Sequence, residues 1–318
     1  MNKLNLNLYK KLFLIRIAEE TIRAHYKEDG MKTPMHLSVG EEAIAAGVCQ
    51  ALGKNDQVFG TYRNHGLYLA KTGETDMFFA ELYGKMSGTA KGKAGSMHLA
   101  SPALGLMGTS AVVGTTIPVA VGAAFANQQI KNGKLTAVFF GDGAVDEGVF
   151  WESLNLASLK KLPILFVCED NDLAIHSPAK ERHSYQSLTE IVAKFEYNIF
   201  SSDSTDAEEI FNLTKEAIKI SRKNGKPSFL HFKYYRYYQH VGVDFDFHHG
   251  YRPESEFKKW QARDPITLMR KKLRIEGHKE EVIAQAEEKI QRQVNESLAR
   301  AQAAPFPASE ELYTDVYA

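Results

Sequence analysis

Short apolar runs alternate along the chain with longer segments in which apolar residues recur at helical spacing. Four of the runs have the length and composition of buried strands: residues 57–62, 135–140, 163–168 and 228–234. Four longer segments have the spacing of helices: residues 8–29, 40–52, 147–160 and 277–303. Because strands that alternate with helices assemble into parallel sheets, this pattern predicts an α/β fold with a mostly parallel sheet flanked by helices.

Further local patterns predict how individual helices start and pack. Thr205 and Glu208 have the spacing of a capping box for a helix that ends near Gly225. The small side chains of residues 119–124 predict a closely packed, buried helix. A chain of 318 residues can form one large α/β unit. We therefore expect a single domain over residues 1–318, with an N-terminal helical extension and a C-terminal helix and tail.

Charge and cysteine content narrow the classes of function. The 39 basic and 39 acidic residues give a formal net charge of zero. No basic block stands out, so nucleic acid and anionic membranes are not expected as partners. No apolar run is long enough to cross a membrane, and the first residues contain no signal-peptide core, which predicts a cytoplasmic protein. Cys49 and Cys168 lie in apolar segments, and we expect both to be buried free thiols.

Asp142 and Asn171 are the most informative polar residues of the sequence. The tripeptide Gly141-Asp142-Gly143 follows one predicted strand, and Asn171 follows the next. An isolated Asp-Gly pair is most often a turn. Here a predicted helix follows the pair, so both side chains are expected at the same edge of a parallel sheet. A carboxylate and an amide oxygen there suit Mg²⁺, which prefers oxygen ligands and leaves room for phosphate groups.

Two arginines also follow predicted strands. Tyr62 and Arg63 end the first strand, and Arg236 comes shortly after the last one. An arginine at a strand end is usually a surface residue. Two guanidinium groups at the same edge of a sheet, however, can bind the oxygens of a diphosphate.

His36 and His240 lie in irregular segments close to these residues in the sequence. A histidine in a loop is most often structural or solvated, but one near a cofactor would suit proton transfer at neutral pH. The adjacent pair His248-His249, with acidic residues nearby, could suggest a transition-metal site. Adjacent residues rarely converge on one ion, so we do not expect a metal there.

The order of these residues resembles the alpha subunit of the E1 component of thiamine-diphosphate-dependent 2-oxo acid dehydrogenases. The resemblance extends over residues 12–262. The Gly-Asp-Gly motif with its later Asn is shared by thiamine enzymes in general. Other motifs are more specific to E1 alpha chains: Gly40-Glu41-Glu42-Ala43, Tyr62-Arg63-Asn64-His65-Gly66, Lys91-Gly92-Lys93-Ala94-Gly95-Ser96-Met97-His98 and Tyr235-Arg236-Tyr237.

The resemblance implies a role for each matching position. Mg²⁺ would be bound by the side chains of Asp142 and Asn171 and by the backbone carbonyl of Leu173. His36 and His240 match the histidines that face the reacting carbon. The remaining matches imply contacts with thiamine diphosphate: side chains of Tyr62, Arg63 and Arg236 and backbone of Gly143 and Ala144 at the diphosphate, and backbone of Ala111 and Val113 at the aminopyrimidine.

The resemblance also implies an activity and partners. The chain would form the diphosphate-binding half of the thiamine-diphosphate-binding fold. It would take part in decarboxylation of a 2-oxo acid and acyl transfer to a lipoyl group, with the pyruvate dehydrogenase E1 type as the expected enzyme. The glutamate that activates the aminopyrimidine lies on the beta subunit in such enzymes. We therefore expect an α2β2 heterotetramer that is inactive without its E1 beta chain, with a lipoyl-bearing acyltransferase as a possible further partner.

Three positions depart from the family pattern. Asp170 stands where the family often has Asn, and adds a carboxylate near the expected metal. Ala111 replaces a common Gly, so the local backbone must be one that alanine tolerates. Val241 follows His240 where mitochondrial pyruvate enzymes carry a phosphorylated serine, so that switch cannot operate at this position.

Other functions stay open at this stage. Acetoin dehydrogenase or another thiamine-dependent enzyme that cleaves carbon–carbon bonds would show the same diphosphate-binding residues. A non-catalytic scaffold of a multienzyme complex would keep the fold, although the intact polar residues argue against it. A nicotinamide-binding domain has little support, because no Gly-x-Gly-x-x-Gly motif follows a first strand.

Overall fold

A parallel sheet forms the centre of the computed structural model, which describes residues 3–315. The strands of the described chain are β1 (Gln57–Thr61), β2 (Leu106–Ser110), β3 (Thr136–Gly141), β4 (Ile164–Asp170), β5 (Leu173–Ala174), β6 (Ser177–Pro178), β7 (Asn198–Ser202) and β8 (Ser228–Lys233). Six of them form one sheet in the order β2-β1-β3-β4-β8-β7, and every neighbouring pair is parallel. Strands β5 and β6 form a separate antiparallel hairpin. The predicted α/β fold with a mostly parallel sheet is confirmed.

Helices cover both faces of this sheet. The α-helices within residues 3–315 are α1 (Lys3–His25), α2 (Glu42–Ala51), α3 (His65–Thr72), α4 (Asp76–Leu82), α5 (Thr116–Gln129), α6 (Gly148–Leu159), α7 (Ala179–Arg182), α8 (Leu188–Ala193), α9 (Ala207–Asn224), α10 (Glu254–Gln261), α11 (Pro265–Ile275) and α12 (Glu280–Ala303). Helix α1 packs against α2, α3, α11 and α12. The N-terminal helix is therefore joined to the body of the fold on several sides.

Side chains of the central strands alternate between two hydrophobic clusters. On β3, Ala137 and Phe139 belong to the larger cluster with helices α1, α2 and α9, whereas Val138 and Phe140 belong to the smaller cluster with α5 and α6. A strand buried on both faces is expected where helices cover both sides of a parallel sheet. This explains why the middle strands are continuous apolar runs that the sequence pattern identifies.

The register of the strands brings the polar strand ends together. Gly141 at the end of β3 pairs with Glu169 near the end of β4. The residues that follow, Asp142 and Asn171, therefore leave the sheet at the same edge. Strands β1 and β8 flank this pair, so the residues after them leave at that edge as well.

Several local predictions need correction. The predicted capping box at Thr205 is wrong, because the side chain of Asp206 caps α9 by accepting from the amide of Glu208. The hydroxyl of Thr205 instead donates to the carbonyl of Arg263. The strands β2 and β7 are absent from the predicted set. Both are edge strands with polar or small residues, so they lack the apolar run of a central strand.

The helix predicted as buried has an exposed face. In α5, Ala120 and Ala124 are buried against the sheet, but Val119 is 57% exposed and Phe125 is 42% exposed. The helix carries no charged residue over its 14 residues. Small, uncharged side chains therefore mark a surface that the isolated chain leaves open to solvent.

The remaining compositional predictions concern cysteines and membranes. Cys49 and Cys168 are both free and buried, as predicted. Among residues 3–315, no helix combines the length and the apolar character needed to cross a bilayer.

Candidate active site at the carboxyl edge of the sheet

A cavity of about 260 Å³ opens where β1, β3 and β4 end. Ten of the predicted site residues line it: Tyr62, Arg63, Val113, Asp142, Gly143, Ala144, Asn171, Leu173, Arg236 and His240. Ala111 and His36 are not among the lining residues. The topology thus brings together residues that are separated by up to 178 positions in the sequence, because parallel strands deliver them to one edge.

Asp142 is the first residue of a short helical turn, Asp142–Asp146, that follows β3. Its Oδ2 atom accepts a hydrogen bond from Arg182, whereas its Oδ1 atom is buried and has no hydrogen-bond partner. Burial and the neighbouring carboxylate of Asp170 raise the pKa of Asp142 to about 6, although Arg182 opposes the shift. An unsatisfied, buried carboxylate oxygen is costly unless a cation or donor binds it.

Asn171 follows β4, and its amide is held by two hydrogen bonds. Nδ2 donates to the hydroxyl of Tyr234 at 2.8 Å, and Oδ1 accepts from the amide of Leu173 at 3.0 Å. The bond from the Leu173 amide, which can only donate, fixes which end of the Asn171 amide is the oxygen. Since a carbonyl oxygen has two lone pairs, Oδ1 retains one for a further ligand.

Asp170 has its own partner beside these two residues. Its Oδ2 atom lies 2.8 Å from Nε2 of His231. Burial acts to raise the pKa of Asp170, but the hydrogen bond and charge of His231 outweigh it and lower the pKa. The departure from the family pattern therefore leaves an ionised carboxylate close to Asp142.

Arg63 and Arg236 place two buried guanidinium groups next to His240. Arg63 donates to the carbonyls of Leu37 at 2.8 Å and His240 at 3.0 Å. Arg236, only 1% exposed, donates to the carbonyl of Tyr238 at 2.9 Å. A guanidinium nitrogen of Arg63 lies 3.5 Å from Nδ1 of His240, and one of Arg236 lies 3.4 Å from the same atom. Because guanidinium groups only donate, this ring nitrogen is the acceptor.

Arg236 is held from its other side by Asp246. The fully buried carboxylate of Asp246 accepts from Arg236 at 3.0 Å and lies 3.5 Å from Arg252. Asp246 is one of the acidic residues near His248-His249, and in the structure it pairs with arginines. Among residues 3–315, no group of three or more His, Cys, Asp or Glu side chains is arranged to hold a metal.

His36, Tyr62 and His240 form a compact aromatic group at the cavity. The ring centroid of His36 lies 4.6 Å from that of Tyr62 and 5.3 Å from that of His240. Burial, with the positive charge of Arg63, lowers the pKa of His36 to about 3, and burial with Arg63 and Arg236 lowers that of His240 to about 3. Both rings are therefore neutral at pH 7, and Nδ1 of His36 is buried without a partner.

Comparison with known proteins matches the chain to a known family. The model of the family "Dehydrogenase E1 component" matches residues 10–310. The chain is 31% identical to the alpha subunit of the acetoin:2,6-dichlorophenolindophenol oxidoreductase of Bacillus subtilis, covering 98% of this chain and 92% of the relative. It is 33% identical to the pyruvate dehydrogenase E1 component subunit alpha of Zymomonas mobilis, covering 98% and 88%.

The chain belongs to the dehydrogenase E1 component family. This membership confirms the prediction of a 2-oxo acid dehydrogenase E1 alpha subunit, an oxidoreductase. Thiamine diphosphate is the cofactor that the family implies. The E1 site fits this group: Asp142 offers a free buried oxygen, Asn171 an oriented amide oxygen, and Arg63 and Arg236 two buried cations.

The E1 cavity also contains carboxyl groups to which no role was assigned from the sequence. Glu41 and Glu169 are both buried and line the cavity. Burial raises the pKa of Glu41 to about 7 despite the charge of Arg63, and burial together with the charge of Glu41 raises that of Glu169 well above its usual range. Glu41 occurs within a quoted motif and Glu169 lies two residues before Asn171, but their convergence depends on the fold.

Arg182 is a further residue beside the site for which the sequence predicts no role. It reaches both Asp142 and Asp146, the latter at 2.5 Å. The hairpin of β5 and β6 followed by α7 carries it back over the cavity edge. A surface-like Lys-Glu-Arg sequence has no distinguishing pattern, so only the folded hairpin reveals this contact.

Ala111 lies beside the E1 cavity rather than in its lining. Its neighbours Ser110 and Val112 line the cavity, as does Val113. Ala111 is not among the residues with positive φ, so its backbone is one that alanine tolerates, as expected from the departure at this position.

Proposed function

We propose that this E1 chain binds thiamine diphosphate through Mg²⁺ and serves as the alpha subunit of a pyruvate-type dehydrogenase. The observation that supports it most strongly is the pairing of two features in one cavity. Asp142 and Asn171 present oxygens, and Arg63 and Arg236 present buried guanidinium groups. Oxygen ligands for a hard cation beside fixed cations for phosphate form a site for a metal-bound diphosphate.

Each chemical group of the ligand has proposed partners on the chain. Asp142 Oδ1, Asn171 Oδ1 and the carbonyl of Leu173 would bind Mg²⁺. The turn at Gly143 and Ala144 would present backbone groups to the diphosphate. The side chains at the diphosphate would be Tyr62, Arg63 and Arg236, and the backbone near Ala111 and Val113 would meet the aminopyrimidine.

The two histidines would act on the substrate side of the site. Bound thiamine diphosphate would supply the electron sink for loss of CO₂ from the 2-oxo acid. Because Nδ1 of neutral His240 accepts from the arginines, its ring proton lies on Nε2, which can donate to a substrate oxygen. His36 would face the substrate as a neutral imidazole, packed against the rings of Tyr62 and His240.

We propose that an E1 beta chain covers the exposed apolar rim of the cavity. Val112 and Ile175 are 63% and 56% exposed at the mouth, and Val241 beside His240 is 46% exposed. The uncharged outer face of α5 continues this surface. Apolar side chains grouped around a cavity mark a protein interface more often than a free surface. The assembly would be an α2β2 heterotetramer.

The setting of the enzyme belongs to the same proposal. We propose a single domain over residues 1–318 in a cytoplasmic protein that delivers its acyl group to a lipoyl-bearing acyltransferase. One cooperative unfolding transition, seen equally by calorimetry and circular dichroism, is expected of the single domain. Two separate transitions would contradict it.

Acetoin is a second candidate substrate. Relatives named for acetoin and for pyruvate are similar to this chain to the same degree, at 33% identity for the acetoin relative of Cupriavidus necator and 33% for the pyruvate relative of Zymomonas mobilis. The residues at the proposed diphosphate site are compatible with either substrate. Selection between them would depend on the substrate side near His36 and on the partner chain.

The test is reconstitution with an E1 beta chain from the same organism. The mixture, thiamine diphosphate and Mg²⁺ should reduce a dye acceptor with pyruvate, with acetoin and branched 2-oxo acids as comparison substrates. The chain alone should be inactive. Full turnover without a second polypeptide, or none with any of these substrates after reconstitution, would contradict the proposal.

A further inference from the structure

Glu19, His65 and Ser96 form a continuous chain of hydrogen bonds inside the protein. Nδ1 of His65 lies 2.8 Å from Oε1 of Glu19, and Nε2 lies 2.7 Å from Oγ of Ser96. All three residues are 0% exposed. They come from α1, from the start of α3 and from the glycine-rich segment before β2, so the contact joins three parts of the fold.

The order of groups is that of a serine–histidine–carboxylate hydrolase. A nucleophilic serine must be reachable by a substrate, and Ser96 is sealed from solvent. It does not line the cavity described above. The three residues therefore have no access to any substrate, and their effect must be on the position of other residues.

The segment that carries His36 is attached to this chain of hydrogen bonds on both sides. After His36, the amide of Ser38 donates to Oε2 of Glu19 at 3.2 Å. Before His36, the hydroxyl of Thr33 accepts from the amide of Ser96 at 3.0 Å. His36 thus lies between two anchors that are linked to each other through His65.

The segment that carries Ser96 is itself firmly held. Glycine and lysine content predicts a mobile surface loop over residues 84–95, yet the buried carboxylate of Glu81 accepts hydrogen bonds from four of its amides. The donors lie at 2.8, 3.0, 2.7 and 3.0 Å and belong to Ala90, Gly92, Ala94 and Gly95. Ser96 is therefore presented from a fixed backbone.

We propose that Glu19, His65 and Ser96 are positioning residues for His36. The chain of hydrogen bonds fixes the backbone on both sides of His36 and thereby sets its ring against Tyr62 and His240. The catalytic consequence rests on the proposed function, in which His36 acts at the substrate side. The structural consequence does not, and it can be measured without activity.

Hydrogen exchange on the full-length chain tests the structural part. Ser96→Ala removes the hydroxyl but leaves the amide of residue 96. Glu19→Gln keeps nearly the same side-chain shape but replaces one acceptor oxygen by an NH₂ donor. In both variants the amides at positions 35–38 should exchange about tenfold faster, since a local opening loses a buried hydrogen bond. Unchanged exchange at these positions in both variants would overturn the proposal.

A matched control separates local positioning from general loss of stability. Ser297 is also 0% exposed, and its hydroxyl lies 2.7 Å from that of Thr75, between α12 and the start of α4. Ser297→Ala should destabilise the chain to a similar degree without faster exchange at positions 35–38. The same acceleration at 35–38 in Ser297→Ala would overturn the proposal.

Kinetics of the reconstituted E1 enzyme test the catalytic part. Ser96→Ala should lower kcat about tenfold with thiamine diphosphate affinity unchanged, because misplacing a reacting group costs rate. In a His36→Ala background the same substitution should lower kcat no further, since residues that act as one unit are not additive. Equal losses in both backgrounds would overturn the positioning role.

The outcomes distinguish this proposal from the proposed function. If His36→Ala leaves kcat unchanged, the assignment of His36 under the proposed function fails, while the exchange data still decide whether positions 35–38 are held. If His36→Ala is impaired but Ser96→Ala is not, only the positioning proposal fails.

Discussion

Arg182 donates a hydrogen bond to Oδ2 of Asp142, although the two residues lie 40 positions apart. This contact occupies one oxygen of the carboxylate and leaves Oδ1 buried and free. A metal ligand is commonly oriented by such a neighbour, and removal of the neighbour weakens metal binding. Arg182 therefore decides which way the carboxylate of Asp142 points.

We expect Arg182→Gln to weaken Mg²⁺-dependent binding of thiamine diphosphate by about tenfold, because the carboxylate of Asp142 loses its orientation. Calorimetric titration of the reconstituted enzyme measures this. Arg292→Gln removes an exposed arginine that pairs with Glu288 on the surface of α12 and is the control. Equal affinities for the wild type and Arg182→Gln would show that Arg182 has no such role.

Asp142→Ala should abolish most of the stabilisation that Mg²⁺ and thiamine diphosphate give. At a ligand concentration about one hundred times Kd, binding stabilises the folded state by ~2.7 kcal/mol, and this increment should largely vanish. Thermal unfolding with and without the ligands measures it. Asp203→Ala, at an exposed position directly after β7, should keep the full increment. An undiminished shift in Asp142→Ala would remove Asp142 from the site.

His240→Ala should reduce turnover strongly while the affinity for thiamine diphosphate changes little. General acid or base groups contribute about 10²- to 10⁴-fold to rate, whereas the proposed diphosphate contacts lie on the arginines. Steady-state kinetics and calorimetry on the same preparation measure both. Loss of cofactor binding together with activity would indicate that His240 supports Arg63 and Arg236 rather than the chemistry.

Acidification should lower the free energy of unfolding through His36. In the folded chain, burial and the charge of Arg63 lower the pKa of His36 from the ordinary value of 6.5 to about 3. Between these pH values the unfolded chain binds a proton at His36 that the folded chain excludes. The free energy of unfolding therefore has its full value, as far as His36 is concerned, above pH 6.5 and declines as the pH falls. Groups with raised pKa, such as Asp142 and Glu41, act in the opposite direction.

A comparison of variants isolates the histidine, since the other groups are common to both proteins. Between pH 7.5 and pH 5.5 the wild type should lose about 1 kcal/mol more unfolding free energy than His36→Gln. Urea unfolding at the two pH values measures the difference. Parallel losses in the two proteins would show that His36 titrates near its ordinary value when the chain is folded.

The sequence pattern predicts those site residues whose positions follow from the order of strands and helices along the chain. Asp142 and Asn171 follow buried apolar strands, and the strand–helix–strand order alone places them at one edge. Arg182 and the pair Glu41 and Glu169 differ, because their contacts arise from the folded hairpin and from burial between elements. No local spacing encodes those contacts.

The errors have equally specific causes. Thr205 has a capping-box spacing, but Asp206 competes for the same helix start and its carboxylate caps α9. Residues 119–124 are small and apolar, which indicates close packing without indicating the partner. In the chain alone, Val119 remains exposed because the surface that we propose to cover it belongs to another polypeptide.

Calorimetric titration of the reconstituted enzyme with thiamine diphosphate, in Mg²⁺ and in excess chelator, tests the central claim most directly. We predict one cofactor bound per alpha chain in Mg²⁺, with affinity lost in chelator and in Asn171→Ala. Equally tight binding without a divalent cation, or unaltered binding in Asn171→Ala, would contradict the account.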